Sequence, residues 1–207
     1  MKKHPLPEEQ PRYLNARGIL HIYEGQTAKA IEVFRQLLES YRDECILRLN
    51  FGISLCAAGK NYDGIIQARM AARKDPNHSK CWNRLGYLYI AAGRVEDALA
   101  CFKESIRLRP NEAGFHESLA VCYHLLNWTE QALSELEHIN DLDQPPRLFN
   151  DIYRVAIMGS PQEASNMLRA AVRDGNLPLL AVSRNPNINL VLDSDIVFKR
   201  NRKLHEN

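Results

Sequence analysis

Gly18, Gly52 and Gly86 recur every 34 residues, and a second series, Gly25, Gly59 and Gly93, keeps the same interval seven positions behind. A glycine inside a helix costs roughly 1 kcal/mol relative to alanine. Three in one phase therefore imply a structural reason, such as a neighbouring helix that approaches closer than a side chain allows. A fixed period of this kind makes the repeat the natural way to divide the 207 residues. The chain reads as one continuous stack of helical hairpins.

Aligning the two series sets the phase of everything else and gives repeats over 11–44, 45–78, 79–112 and 113–146. In the third, Trp82, Leu85, Gly86 and Tyr89 share one face of a first helix and Gly93 stops it. Ala98 and Phe102 then face inward from a second helix that ends before Pro110. The first copy keeps Leu14, His21, Ala30 and Phe34 but lacks the closing proline, and the second has Phe51, Leu55, Gly64, Ala68 and Pro76. In the fourth, Ala120 takes the close-contact position and Asn127 the stop, followed by Ala132 and Leu136. Alanine is the next smallest residue for a tight crossing, and asparagine is the commonest non-glycine residue in the left-handed conformation that ends helices.

Beyond Gln144-Pro145-Pro146 the phase slips, so that Gly159 and Ala164 lie 32, not 34, residues after Asn127 and Ala132. An irregular fifth hairpin is expected there. Ser160 as N-cap, Pro161 in the first turn and Glu163 as the capping-box partner open a helix through Met167, Leu168, Ala171 and Val172 to Gly175. Ile152 stands where other copies have a small residue, which predicts looser packing. The stretch 176–207 carries no repeat, but Asn185-Pro186 and Asp193-Ser194-Asp195 could start two short helices. Leu190, Leu192, Ile196 and Phe198 would then cover the last apolar face, since the end of a solenoid needs a cap. On this reading 1–10 is a flexible tail, 147–207 is a degenerate hairpin with a cap or a second interaction surface, and Lys199, Arg200, Arg202 and Lys203 are a solvated end.

Charge excludes some partners. With 27 basic against 25 acidic residues the net charge is +2, too small to argue for nucleic acid or an anionic membrane. No run approaches the roughly 20 apolar residues that span a bilayer. Pro5, Pro7, Glu8 and Glu9 stand where a signal peptide would need an apolar stretch, and five cysteines without a C-x-x-C fit a reducing cytoplasm.

The third copy's order of aromatic, Leu-Gly, Tyr, Gly, Ala, aromatic and Pro resembles the tetratricopeptide repeat at that family's own spacing, and the likeness extends over 11–146. The resemblance implies an all-α, right-handed solenoid of about four such hairpins, here followed by the irregular fifth hairpin and short capping helices. In that family the first helices line a concave groove, so residues in one phase become rungs across it. One phase gives Ile19, Ile53, Tyr87 and Val121, and another gives Ile22, Cys56, Ile90 and His124. Most are apolar although the family's geometry points them away from the core between repeats. Such a surface binds a partner, is filled by a terminal segment of the same chain, or joins two copies as a homo-oligomer.

Some members of the family hold a ligand's terminal carboxylate with Lys and Asn in one repeat, Asn in the next, and Lys with Arg in the third. Asn50, Lys80 and Arg84 match in the second and third repeats, while Asn15 and Ile19 replace Lys and Asn in the first. Lys80 and Arg84 are four apart on one helix and can face the same anion, with arginine able to make two parallel bonds to a carboxylate. The pair is also open to a plainer reading, as solvated cations or as partners of Glu117. Asn83 would join Asn50 in bonding a ligand's backbone.

No phosphate loop, H-E-x-x-H, paired C-x-x-C or nucleophile elbow supports an enzyme or a cofactor. The cysteines read as small apolar packing residues. His116, Cys122 and His124 are spaced wrongly to place three metal donors on one helical face. The expectation is a non-enzymatic, cytoplasmic module that binds a protein or peptide, with an acidic group facing Lys80 and Arg84, as an adaptor, an assembly factor or a chaperone. Small bacterial members of the family chaperone secreted translocator subunits in a similar groove. A self-assembling scaffold, or a regulatory or catalytic subunit with a dispersed site, are the alternatives.

Overall fold

The computed structural model describes residues 10–42, 44–142 and 147–174. Among them are ten helices and no strand: α1 Pro11–Tyr23, α2 Thr27–Ser40, α3 Cys45–Ala57, α4 Asn61–Lys74, α5 Ser79–Ala91, α6 Val95–Leu108, α7 Ala113–Leu125, α8 Thr129–Asp141, α9 Arg147–Ile157 and α10 Pro161–Arg173. The segments 1–9 and 175–207, and with them the tail, the C-terminal helix starts, the capping residues and the basic end, lie outside the described residues.

Each first helix stops in the same way. Gly25, Gly59, Gly93, Asn127 and Gly159 all have positive φ, and Asn127 at 60° is the one non-glycine among them. The residue after each donates its N–H to the carbonyl five positions back, as in Arg94 to Tyr89 at 2.8 Å and Trp128 to Tyr123 at 2.8 Å. This is the closing bond of a Schellman turn, which satisfies a carbonyl the helix would otherwise leave bare and reverses the chain within two residues. The asparagine read as a stop from its phase therefore does the work of the glycines. In the fifth hairpin α10 opens at Pro161, where a proline lacks an N–H that the helix start would leave unpaired in any case.

The chain divides into two compact units, 1–110 and 111–207. In the first, α1 to α6 pack in sequence as three hairpins. A methyl group placed on Gly18 would lie 2.6 Å from the ring of Phe34, and one on Gly86 would lie 2.5 Å from the ring of Phe102. Both rings are fully enclosed, each side chain contributing about 1.5–3 kcal/mol by leaving water. In the second hairpin no aromatic ring intervenes. A methyl on Gly52 would lie 2.7 Å from the carbonyl oxygen of Gly64, so the backbones of α3 and α4 themselves meet.

The second unit contains α7 to α10. Ala120 and Ala132 are fully enclosed in the fourth hairpin, as are Ile152 and Ala164 in the fifth. Ile152 thus fills with bulk the place where other hairpins keep a small residue. Asn150, also fully enclosed, donates through Nδ2 to the Leu136 carbonyl at 2.8 Å and ties α9 to α8. No helix among the described residues is long and apolar enough to cross a membrane.

Candidate peptide-binding face

Within the first unit α1 touches α3 and α3 touches α5, whereas α2 with α4 and α4 with α6 make at most marginal contact. The first helices are thus drawn together and the second helices splay, which makes the α1, α3 and α5 face the inner one.

The expected rung residues in this unit are mostly open or half-open. Asn15 and Ile19 on α1, and Asn50 and Ile53 on α3, are half-buried. Asn50 donates through Nδ2 to Asn15 Oδ1 at 2.9 Å, joining the two helices across the face. The bond uses one donor and one acceptor and leaves the Asn15 amide NH2 and the Asn50 side-chain carbonyl outside it. Ile19 and Ile22 also pack against the Phe34 cluster, so their outer edges, not whole side chains, face out. On α5, Lys80 and Arg84 are exposed and, among the described residues, have neither an ion-pair nor a hydrogen-bond partner. Glu117 lies on α7 in the other unit.

Tyr87 and Ile90 are half-buried beside that pair. The Tyr87 ring stands edge-on to Phe102, with centroids 5.3 Å apart, so one side of it belongs to the hairpin core. Asn83 is only 9% exposed and offers little surface for a ligand backbone. Cys56 is half-buried, and burial pushes its thiol up to about 11, so it stays protonated, donating weakly to the Asn61 carbonyl at 3.8 Å.

Two rungs fall in the second unit. The register makes Val121 a groove residue, but its side chain is fully enclosed. The reason is that α7 is buried around most of its girth, with Phe115, His116, Ser118 and every residue from Leu119 to Tyr123 inside. His124 is half-buried, and desolvation holds its imidazole below the ordinary histidine range. His116 instead meets Glu135, Nδ1 to Oε2 at 2.7 Å, and its ring lies 4.6 Å from that of His138. Among the described residues the donors near enough to share an ion are Cys45, His78 and Cys81, not His116, Cys122 and His124.

The tetratricopeptide repeat family model matches residues 79–112 and, in a second form, residues 16–43. An N-terminal acetyltransferase A complex subunit-like protein of Schizosaccharomyces pombe is 20% identical over 181 residues, covering 85% of this chain and 26% of that protein. The chain spans less than a third of the length of the curated relatives it matches. A thermophilic TPR protein of Thermus thermophilus superposes with a TM-score of 0.68 at 18% identity, over 87% of this chain and all of that one. A structure of Naa15/Naa10 bound to HypK-THB superposes with a TM-score of 0.58 at 15% identity, over 95% of this chain and 35% of that one. At such identities the likeness carries the fold alone. With two repeats matched in sequence and the hairpin stack shared with known repeat structures, this chain is a tetratricopeptide-repeat protein.

Proposed function

We propose that this chain is a non-enzymatic protein-interaction module that receives a peptide segment of a partner on the α1, α3 and α5 face. The observation that carries the reading is the pair Lys80 and Arg84, two exposed cations one helical turn apart and without a partner among the described residues. A surface arginine with nothing to bind is free to fork onto a carboxylate, and a neighbouring lysine adds a point charge. Beside them the open edges of Tyr87, Ile90, Ile53 and Ile19 give an apolar track, and the Asn15–Asn50 rung offers amide groups to an extended backbone. The ligand is an acidic peptide with apolar side chains, and a preformed face limits the ordering cost to the ligand.

The test is affinity capture with the intact chain and with Lys80→Glu/Arg84→Glu, read by mass spectrometry. Tyr87 is left unchanged because its ring also holds Phe102 in place. The charge-reversed protein should keep its circular dichroism and lose the captured partners. Equal capture by both chains would sink the reading.

A second reading has its own support. The acetyltransferase-complex relative aligns with most of this chain, and the Naa15/Naa10 likeness covers nearly all of it. On that reading the chain is a helical-repeat subunit of a larger enzyme assembly. Co-purification with a stoichiometric catalytic partner that survives the Lys80 and Arg84 reversal would favour it over peptide capture.

A further inference from the structure

Cys45 is the first residue of α3, His78 is the N-cap of α5, and Cys81 stands in the first turn of α5. Their ligand atoms all lie within 4.8 Å of one another. The repeat register explains how residues so far apart in the chain come together. Cys45 and Ser79 hold the same place in successive repeats, so the ends of α3 and α5 are neighbours, and His78 and Cys81 flank Ser79. We propose that Cys45, His78 and Cys81 form a binding site for one zinc-class divalent cation, which clips α3 to α5 at the end of the inner face next to Lys80.

Two thiols and an imidazole match the chemistry of such an ion. Borderline-soft cations take Cys sulfur at about 2.3 Å and His nitrogen at about 2.0–2.1 Å in a tetrahedron, which sets donor atoms somewhat under 4 Å apart, roughly, by that geometry. The three groups need only draw in slightly. Cys81 is fully enclosed while Cys45 and His78 are half-buried, so the ion would enter from one side with its innermost ligand already shielded. Charge also balances. Each thiol gives its proton to solvent as its sulfur ligates, and two thiolates with a neutral imidazole cancel a divalent charge that would otherwise be costly beside the core.

His78 shows what ligation would displace. Its Nδ1 accepts the backbone N–H of Cys81 at 3.3 Å. Metal at Nδ1 replaces that bond directly, and metal at Nε2 moves the ring proton to Nδ1, which can then no longer accept. Either way one long cap bond is exchanged for a coordination bond. Without metal, burial and the neighbouring Cys45 push the Cys81 thiol up to about 12, so it rests as a thiol and not as a reactive thiolate. The charge of Asp75 acts on it in the same sense.

Cobalt(II) titration of the reduced, full-length chain tests the site. One equivalent should give a near-ultraviolet thiolate-to-cobalt band with tetrahedral visible bands, and zinc should remove both. Apparent affinity should rise by about 100-fold per pH unit, because two protons leave as the ion binds. Cys45→Ser and His78→Ala, both at half-buried positions, should each weaken binding by more than about 100-fold, beyond what loss of an outer-shell partner does. Cys56→Ser/Cys101→Ser/Cys122→Ser should bind as the native chain does. The proposal is overturned if the native chain gives no thiolate band, if Cys45→Ser binds cobalt as tightly as the native chain does, or if the chain takes up no metal when thiol counting shows all five cysteines reduced.

Discussion

The second and third hairpins use the same glycine for different ends. In α5–α6, Gly86 makes room for a side chain: the ring of Phe102 lies over it and closes the core. In α3–α4, Gly52 makes room for a backbone, since Gly64 faces it and a methyl on either would meet the other's carbonyl oxygen. One period in the sequence therefore covers two kinds of contact. A side chain can turn aside or be trimmed, whereas a helix backbone can yield only by moving the whole helix.

The largest effect should follow from that difference. Gly52→Ala gains helix propensity but places its Cβ 2.7 Å from the Gly64 oxygen and 3.2 Å from the Ala68 nitrogen. We expect a net loss of about 3 kcal/mol in urea unfolding, at the upper end of overpacking costs. Gly86→Ala should cost less, about 1–2 kcal/mol, because the obstacle is a ring. Gly86→Ala/Phe102→Leu should recover about 1 kcal/mol as coupling between the two sites, measured by a double-mutant cycle. If Gly86→Ala proved the more damaging, or if Phe102→Leu brought no recovery, the distinction between the two hairpins would fail.

The helix stops offer a smaller contrast. A methyl on Gly93 would touch nothing within 4 Å, so Gly93→Ala isolates the strain of a φ of +74°. It should cost about 1 kcal/mol. Asn127, at φ 60°, already carries part of that strain, and Asn127→Gly should gain a few tenths of a kcal/mol in thermal or urea unfolding. A loss at Asn127→Gly would mean that the asparagine side chain contributes something the turn alone does not explain.

The smallest effect is one of pH. Burial holds His124 below its ordinary value of 6.5 in the folded state, so on acidification the unfolded chain takes up that proton first. Its contribution to stability is complete above about pH 6.5 and is lost as pH falls through the folded value. Denaturation midpoints between pH 7.5 and 5 should drop more in the native chain than in His124→Gln. Parallel slopes would show that His124 is not the titrating group.

Local features were legible because their physics is local. The stop at Asn127 needs only a residue that tolerates positive φ, and the opening of α10 at Pro161 needs only a missing N–H. The glycine phase likewise foretold an approach closer than a side chain allows. The face was legible in part. Register put Lys80, Arg84, Ile19, Ile53, Tyr87 and Ile90 on the first helices, where they are open or half-open. It gave no sign that Asn15 and Asn50 bond to one another, that Asn83 is nearly covered, or that Val121 is enclosed, because each depends on what packs against the helix from outside it.

The metal-ligand cluster shows the same boundary. Spacing along one helix argued against His116, Cys122 and His124 as metal donors and said nothing of Cys45, His78 and Cys81, which come from two helices one repeat apart. The 34-residue register held the signal, for it set Cys45 level with Ser79, but a register gives neighbours and not distances. By itself the sequence determined the repeating hairpin, its turns and the helices that share a face, since those follow from backbone conformation and side-chain size at fixed intervals. Only the tertiary structure decided which side chains are open, which amides pair and which thiols meet, because those depend on how far one helix stands from the next.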